Sequence, residues 1–151
     1  LQVYMDAKMM RCPCGGDTAA NPPDPRRARS CEGGNRNYAD CCGRYLDDDE
    51  IAPTAEALMR SRYSAYTLGR EDYLLETWHR STRPASLALA SQPLSKWLGL
   101  EVRRHEQIEP DGAVVEFVAR YKVDGRAHRL HEISRFVREA GQWFYTDGDI
   151  V

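Results

Sequence analysis

Val115-Glu116-Phe117-Val118-Ala119-Arg120-Tyr121-Lys122-Val123-Asp124-Gly125-Arg126-Ala127-His128-Arg129-Leu130-His131-Glu132-Ile133-Ser134 decides the fold. Asp124-Gly125 between two segments rich in β-branched and aromatic residues is a strong two-residue hairpin signal. With that turn Val123 pairs with Arg126, and the register follows outward, since side chains alternate faces with a period of two. One face then carries Val115, Phe117, Ala119, Tyr121, His128, Leu130, Glu132, Ser134 and Phe136; this is the buried one. The other carries Glu116, Arg120, Lys122, Arg129 and Arg135, with His131.

The same period extends in both directions. Pro110-Asp111-Gly112 and Ala140-Gly141 supply two further turns, so strands are expected at 99–108, 113–123, 126–138 and 142–149. A two-residue turn at Ala140-Gly141 adds Trp143, Tyr145 and Asp147 to the buried face, with Asp147 opposite Ser134. Upstream, the period is helical. Thr54 after Pro53 can cap a helix over 54–67, with Ala55, Leu58, Met59, Arg62 or Tyr63, and Tyr66 on one stripe and Gly69 at its end. Residues 72–78 form a second short helix. Ser81-Thr82-Arg83-Pro84 opens a third carrying Leu87, Ala90, Leu94 and Trp97, which Pro93 breaks or kinks. Three helices before a four-stranded antiparallel meander make an α+β architecture.

The chain has 151 residues, 42% of them apolar and 29% charged, with a net charge of −2. That is enough for one core and gives no electrostatic handle for nucleic acid or an anionic membrane. No stretch approaches the roughly 18 to 20 apolar residues of a membrane span, and no signal-peptide core opens the chain. Residues 1–10 stay outside the fold argument. The five cysteines all precede residue 43. An odd, crowded set is not the spread framework of a secreted disulfide domain, so a reducing cytosol and a metal-binding segment over 11–46 are expected. Cys12-Pro13-Cys14-Gly15-Gly16 can wrap a turn around a metal, and the adjacent Cys41 and Cys42 bond each other poorly because a vicinal disulfide strains the backbone. Free or redox-active thiols are the alternative. Between the dyads, the Pro- and Arg-rich residues 17–36 read as a solvated loop face rather than an RNA contact.

Cys-Pro-Cys-Gly at 12–15 followed by Tyr38-Ala39-Asp40-Cys41-Cys42-Gly43 resembles the SEC-C motif, a zinc-binding element found at the C-terminus of the translocation ATPase SecA and in many small bacterial proteins. With Leu58-Met59-Arg60-Ser61-Arg62-Tyr63-Ser64-Ala65-Tyr66 and Tyr73 to Pro84, the chain resembles the YchJ-like family of bacterial proteins. That resemblance implies Cys12, Cys14, Cys41 and Cys42 as ligands of a zinc ion and a nuclear transport factor 2-like cone over 47–151. The spacing between the dyads departs from the family's short spacer and contains Cys31, which leaves Cys31 open as a substitute ligand.

Two functions follow. The first is a cytoplasmic zinc-binding interaction or adaptor module rather than an enzyme, whose protein partner is not identified by the sequence, a protein-export or ribosome-associated component being one option. The alternative is a small-molecule-binding protein, or an isomerase- or hydrolase-like enzyme, using the cone as its pocket. Glu132, Asp147, His79 and Trp143 are the pocket candidates, with His128 and Ser134 beside them. A carboxylate on an apolar face is costly unless paired, so Arg60, Arg62 or Arg83 is expected to pair with Glu132 or Asp147. His105 and His131 carry no assigned role. Val114, Val118, Ile133 and Val137 on the opposite face allow a homodimer.

Overall fold

A computed structural model describes residues 11–15, 37–91 and 95–151. The loop at 17–36 with Cys31, the opening ten residues and Pro93-Leu94 therefore lie outside the described residues. The core of the fold is one antiparallel meander, β1 (Ser95–Glu109), β2 (Gly112–Val123), β3 (Arg126–Glu139) and β4 (Gln142–Ile150), in the order β1-β2-β3-β4. The central hairpin has the expected register, with Val123 opposite Arg126 and Phe117 opposite Glu132. Asp124 and Gly125 both take positive φ, 51° and 77°, and Ala140 and Gly141 repeat this at 51° and 78°. Such paired left-handed residues match the right-handed twist of the flanking strands. β1 meets β2 with three register shifts, at Trp97/Gly99, Val102/Arg104 and Gln107/Glu109, which bend the sheet into a curved half-cone.

Helix α1 (Gly43–Leu46) is a single turn following a 3-10 turn at Tyr38–Asp40. Helix α2 (Ala55–Leu68) lies in the concave side of the sheet, and α3 (Glu71–Glu76) packs beside it. Thr54 caps α2 by accepting a hydrogen bond from the Ala57 amide at 3.0 Å, and Gly69 ends it at φ 70°. Ala55 and every residue from Ala57 to Ala65 are buried. One stripe faces the sheet; from the other, Arg60 and Ser64 reach the cysteine segment, and Ser61 shares a hydrogen bond with the Tyr73 hydroxyl of α3 at 2.7 Å. The buried residues of both sides form one continuous cluster, from Cys12 and Tyr38 through Leu58 and Leu74 to Phe117 and Phe136.

The third helix does not form. Among the described residues of 81–91 the regular structure is a 3-10 turn at Leu89–Ser91, and Ala88 has φ 51°. A left-handed alanine cannot continue a helix. The segment is held instead by polar contacts: Leu89 N–H donates to Glu71 Oε1 at 2.9 Å, and Thr82 Oγ1 donates to the Thr146 carbonyl at 2.7 Å. Trp97, placed on that helix by its spacing, belongs to β1 and pairs with Tyr121. The second helix stops at Glu76 because Thr77–His79 pairs alongside β4. Tyr145 N–H donates to the Thr77 carbonyl at 2.9 Å, and His79 N–H to the Tyr145 carbonyl at 2.7 Å.

A bulge corrects the last hairpin. Phe136 opposes Tyr145 as expected, but Thr146 is an extra residue, so Arg135 opposes Asp147 and Ser134 opposes Gly148. Asp147 is thereby turned to the outer face, where Arg135 Nε contacts its Oδ1 at 2.7 Å and Arg135 Nη1 contacts Asp149 Oδ2 at 2.7 Å. The guanidinium holds the Asp147 and Asp149 carboxyls below the usual range. On the same outer face, His131 Nε2 lies 2.7 Å from Glu116. Val118 is buried there under such charged side chains. Among the described residues no helix is long and apolar enough to cross a membrane.

Candidate functional site

Residues 11–15 and 37–46 are brought together by a bridge between Arg11 and Asn37. Cys12 begins a turn closed by Gly15 N–H donating to its carbonyl at 3.0 Å, with Gly15 at φ 75°. On the other side, the Cys41 amide donates to the Tyr38 carbonyl at 3.1 Å, and Cys42 precedes the first turn of α1. The outcome is a convergence of the sulfurs of Cys12, Cys14, Cys41 and Cys42, all within 4.8 Å of one another and all buried. Cys14 Sγ lies 3.6 Å from Cys41 Sγ. Four thiolates at about 2.3 Å from a central tetrahedral ion stand roughly 3.8 Å apart, so the cluster has the dimensions of a four-sulfur metal site. Cys31, the possible substitute ligand, lies outside the described residues.

The charge balance of the cluster points the same way. Hydrogen bonds from Cys14 and Cys42 hold the Cys12 thiol well below its ordinary pKa. Its hydrogen bond to Cys12 raises Cys14, and burial raises Cys42 far above its ordinary value. A divalent cation would supply the charge that lets such buried thiols ionise, with release of protons. The segment is also fixed from outside. Arg60 Nη1 donates to the Cys14 carbonyl at 3.1 Å, and Cys12 Sγ sits 3.6 Å from Ser64 Oγ. Arg70 bonds both Asp47 Oδ1 (2.8 Å) and the Leu46 carbonyl (3.0 Å).

Gly43 has no room for a side chain, because an added Cβ would stand 2.7 Å from the Tyr38 carbonyl oxygen. Gly43→Ala is therefore expected to push the 38–42 turn away from α1 and to weaken metal binding by at least tenfold in competition with a chromogenic chelator. Unchanged affinity would mean that the close turn is not required for the site.

The second feature is a cavity of about 680 Å³ in the cone between α2 and the sheet. Of the pocket candidates, Glu132 lies there. Its Oε1 accepts from Ser134 Oγ and Tyr145 O–H, each at 3.1 Å. Gly148 makes this possible: a Cβ at that position would collide with Glu132 Oε1. His79, Asp147 and Trp143 do not join it. His79 is spent between Ser81 Oγ (2.7 Å) and Glu139 Oε2 (2.6 Å). Trp143 lines a separate groove with Leu46, Ile51 and Tyr73, and His128 stacks on Tyr121. The expected arginine pair is also absent: among the described residues, none lies within ion-pair distance of Glu132. Arg60 serves the cysteine segment, Arg83 donates to the Trp78 carbonyl, and Arg62 is committed elsewhere. The aromatic cone residues Tyr63, Tyr66, Trp97 and Tyr145 carry only an apolar pattern in the sequence, with no local signal that marks them as cavity lining.

A family model describing the YchJ middle NTF2-like domain matches residues 54–148. The chain belongs to the YchJ-like, or UPF0225, family. It is 56% identical over 138 residues to a UPF0225 protein of Polaromonas naphthalenivorans, covering 91% of this chain and 96% of that one. A UPF0225 protein of Chromobacterium violaceum is 59% identical over 128 residues, covering 82% and 93%. Two solved structures share the fold. A SEC-C motif containing protein from Rhodopseudomonas palustris superposes with a TM-score of 0.71 at 34% identity, over 82% of this chain and 97% of that one. Another from Psychrobacter arcticus gives 0.74 at 29% identity, over 97% and 86%. The NTF2-like domain is thus shown by the family model, and the solved relatives are SEC-C motif containing proteins.

Proposed function

We propose that this chain is a zinc-binding adaptor of the bacterial cytoplasm, with Cys12, Cys14, Cys41 and Cys42 holding one zinc ion. The convergence of four buried sulfurs within 4.8 Å carries the reading. Four thiolates leave no open coordination position, so the ion orders the segment rather than activating water. Its role is to hold a small rigid knuckle on the back of α2, a surface a protein partner can read. The solved relatives are described as SEC-C motif containing proteins, the motif that the translocation ATPase SecA also carries, so the partner is expected in protein export or at the ribosome. Native affinity purification from a bacterial lysate, with the parent and Cys42→Ser chains in parallel, tests this. A ribosomal or export component recovered with the parent and lost with the variant is expected. The same complex from both chains, or none from either, removes the adaptor role.

A further inference from the structure

The cone cavity is independent of the sulfur cluster, and its walls define a ligand. Its volume, about 680 Å³, lies in the range of small-molecule sites. One wall is aromatic and continuous. Trp97 meets Tyr63 edge-on at 5.5 Å, Tyr66 at 6.1 Å and Tyr121 at 5.1 Å between ring centroids. Phe117 and Phe136 close the sheet side. Such surfaces favour a flat apolar body.

The polar end holds two opposite charges that do not touch. Tyr145 separates them: the Arg62 guanidinium stands 4.6 Å over its ring, and its hydroxyl donates to Glu132 at 3.1 Å. Each charged group keeps one side unspent. Arg62 uses Nη1 for the Leu74 carbonyl and Thr77 Oγ1, both at 2.7 Å. Its Nε and Nη2 make no hydrogen bond among the described residues, yet neither is sealed off as an unsatisfied buried atom. Glu132 accepts both its bonds on Oε1, leaving Oε2 without a partner among the described residues. The cavity therefore presents a donor and an acceptor whose formal charges cancel. A ligand with a net charge would bring an uncompensated charge into an apolar site, whereas a neutral group that both accepts and donates satisfies both.

We infer that the cone is a binding site for an uncharged, flat small molecule whose polar end is an amide or a comparable donor–acceptor pair, accepting from Arg62 and donating to Glu132. The inference stands on the Arg62–Tyr145–Glu132 arrangement together with the Trp97 wall, and is untouched by the outcome for zinc.

The test uses three matched probes on the isotope-labelled full chain: a naphthalene carboxamide, the corresponding naphthoate, and naphthylmethylammonium. Saturable shifts of the Trp97 indole resonance are expected with the carboxamide, and binding at least about tenfold weaker with either charged probe. Glu132→Gln replaces the unspent acceptor with a donor and should weaken the carboxamide about tenfold, the worth of one hydrogen bond to a charged group. Ala119→Leu fills the wall and should abolish binding. No saturable shift with any probe, tighter binding of a charged probe, or unchanged binding in both folded variants would each overturn the inference.

Discussion

Cys41→Ser is expected to take the zinc content from one ion per chain to none, while Cys31→Ser keeps it at one. Serine offers a harder, poorly ionised ligand, and structural zinc sites bind with apparent free energies of about 10–16 kcal/mol, most of it lost when a thiolate is removed. Metal analysis after gel filtration reads the outcome directly, and full retention in Cys41→Ser would sink the ligand assignment. The mechanical consequence is equally large. Cys12, Cys14 and Cys42 are buried beside Tyr38, Tyr45 and Leu46 of their own segment, and the polar contacts of residues 12 and 14 run outward to Arg60 and Ser64 of α2. Chelation should therefore release residues 11–15 and 37–46 from the helix. The face it uncovers is mixed: Arg60 and Ser64 are polar, while Ala57 and Leu58 share one buried cluster with Tyr38, Tyr45 and Leu46 of the segment. The cone, with Leu74, Val115 and Phe136 in its own core, should keep a cooperative transition at a lower Tm. Loss of every cooperative transition on chelation would make knuckle and cone one folding unit, a result that the continuous buried cluster across α2 makes worth measuring.

What the sequence made legible was whatever a short local signal controls. Asp124-Gly125 fixed the central register, Thr54 and Gly69 bounded α2, and the pairing of dyads announced the sulfur cluster. The misreadings share a cause, a tertiary choice overriding a local pattern. Leu87, Ala90, Leu94 and Trp97 have helical spacing, but Trp97 is worth more as the wall of the cone, and Glu71 captures the backbone at Leu89. Thr146 carries no bulge signature, yet the single inserted residue moves Asp147 from the expected pocket to the solvent. One clue to the docked knuckle was present and unused. Ala57, Ser61 and Ser64 form a stripe of small residues on the side of α2 away from the sheet, where a solvated helix would carry longer charged ones.

Arg62→Ala is expected to destabilise the cone by on the order of 3 kcal/mol, far more than Glu132→Ala. Arg62 is buried, with its guanidinium against the rings of Tyr145 (4.6 Å) and Trp78 (5.2 Å). Its Nη1 bonds the Leu74 carbonyl and Thr77 Oγ1 where α3 ends and the Thr77–His79 segment turns to join β4. One side chain thus ties α2, α3 and the edge of the sheet. Truncation leaves a buried carbonyl without its donor and removes a desolvated cation–π contact worth ~2 kcal/mol. Burial pushes the pKa of this arginine down, so its charge carries a desolvation cost that removal partly returns. Arg62→Lys should recover little, because an ammonium cannot lie flat between two rings and reach both acceptors. Glu132, by contrast, is half-buried, accepts from two hydroxyls that can turn to other acceptors, and has no arginine within ion-pair distance among the described residues. Glu132→Ala should cost about 1 kcal/mol or less, or even stabilise the fold, as is common where a polar group serves a pocket rather than the core. Thermal melts of Arg62→Ala, Arg62→Lys and Glu132→Ala decide it: equal losses for arginine and glutamate would mean that the two charges close into an ion pair in solution, and that the gap bridged by Tyr145 is not held open.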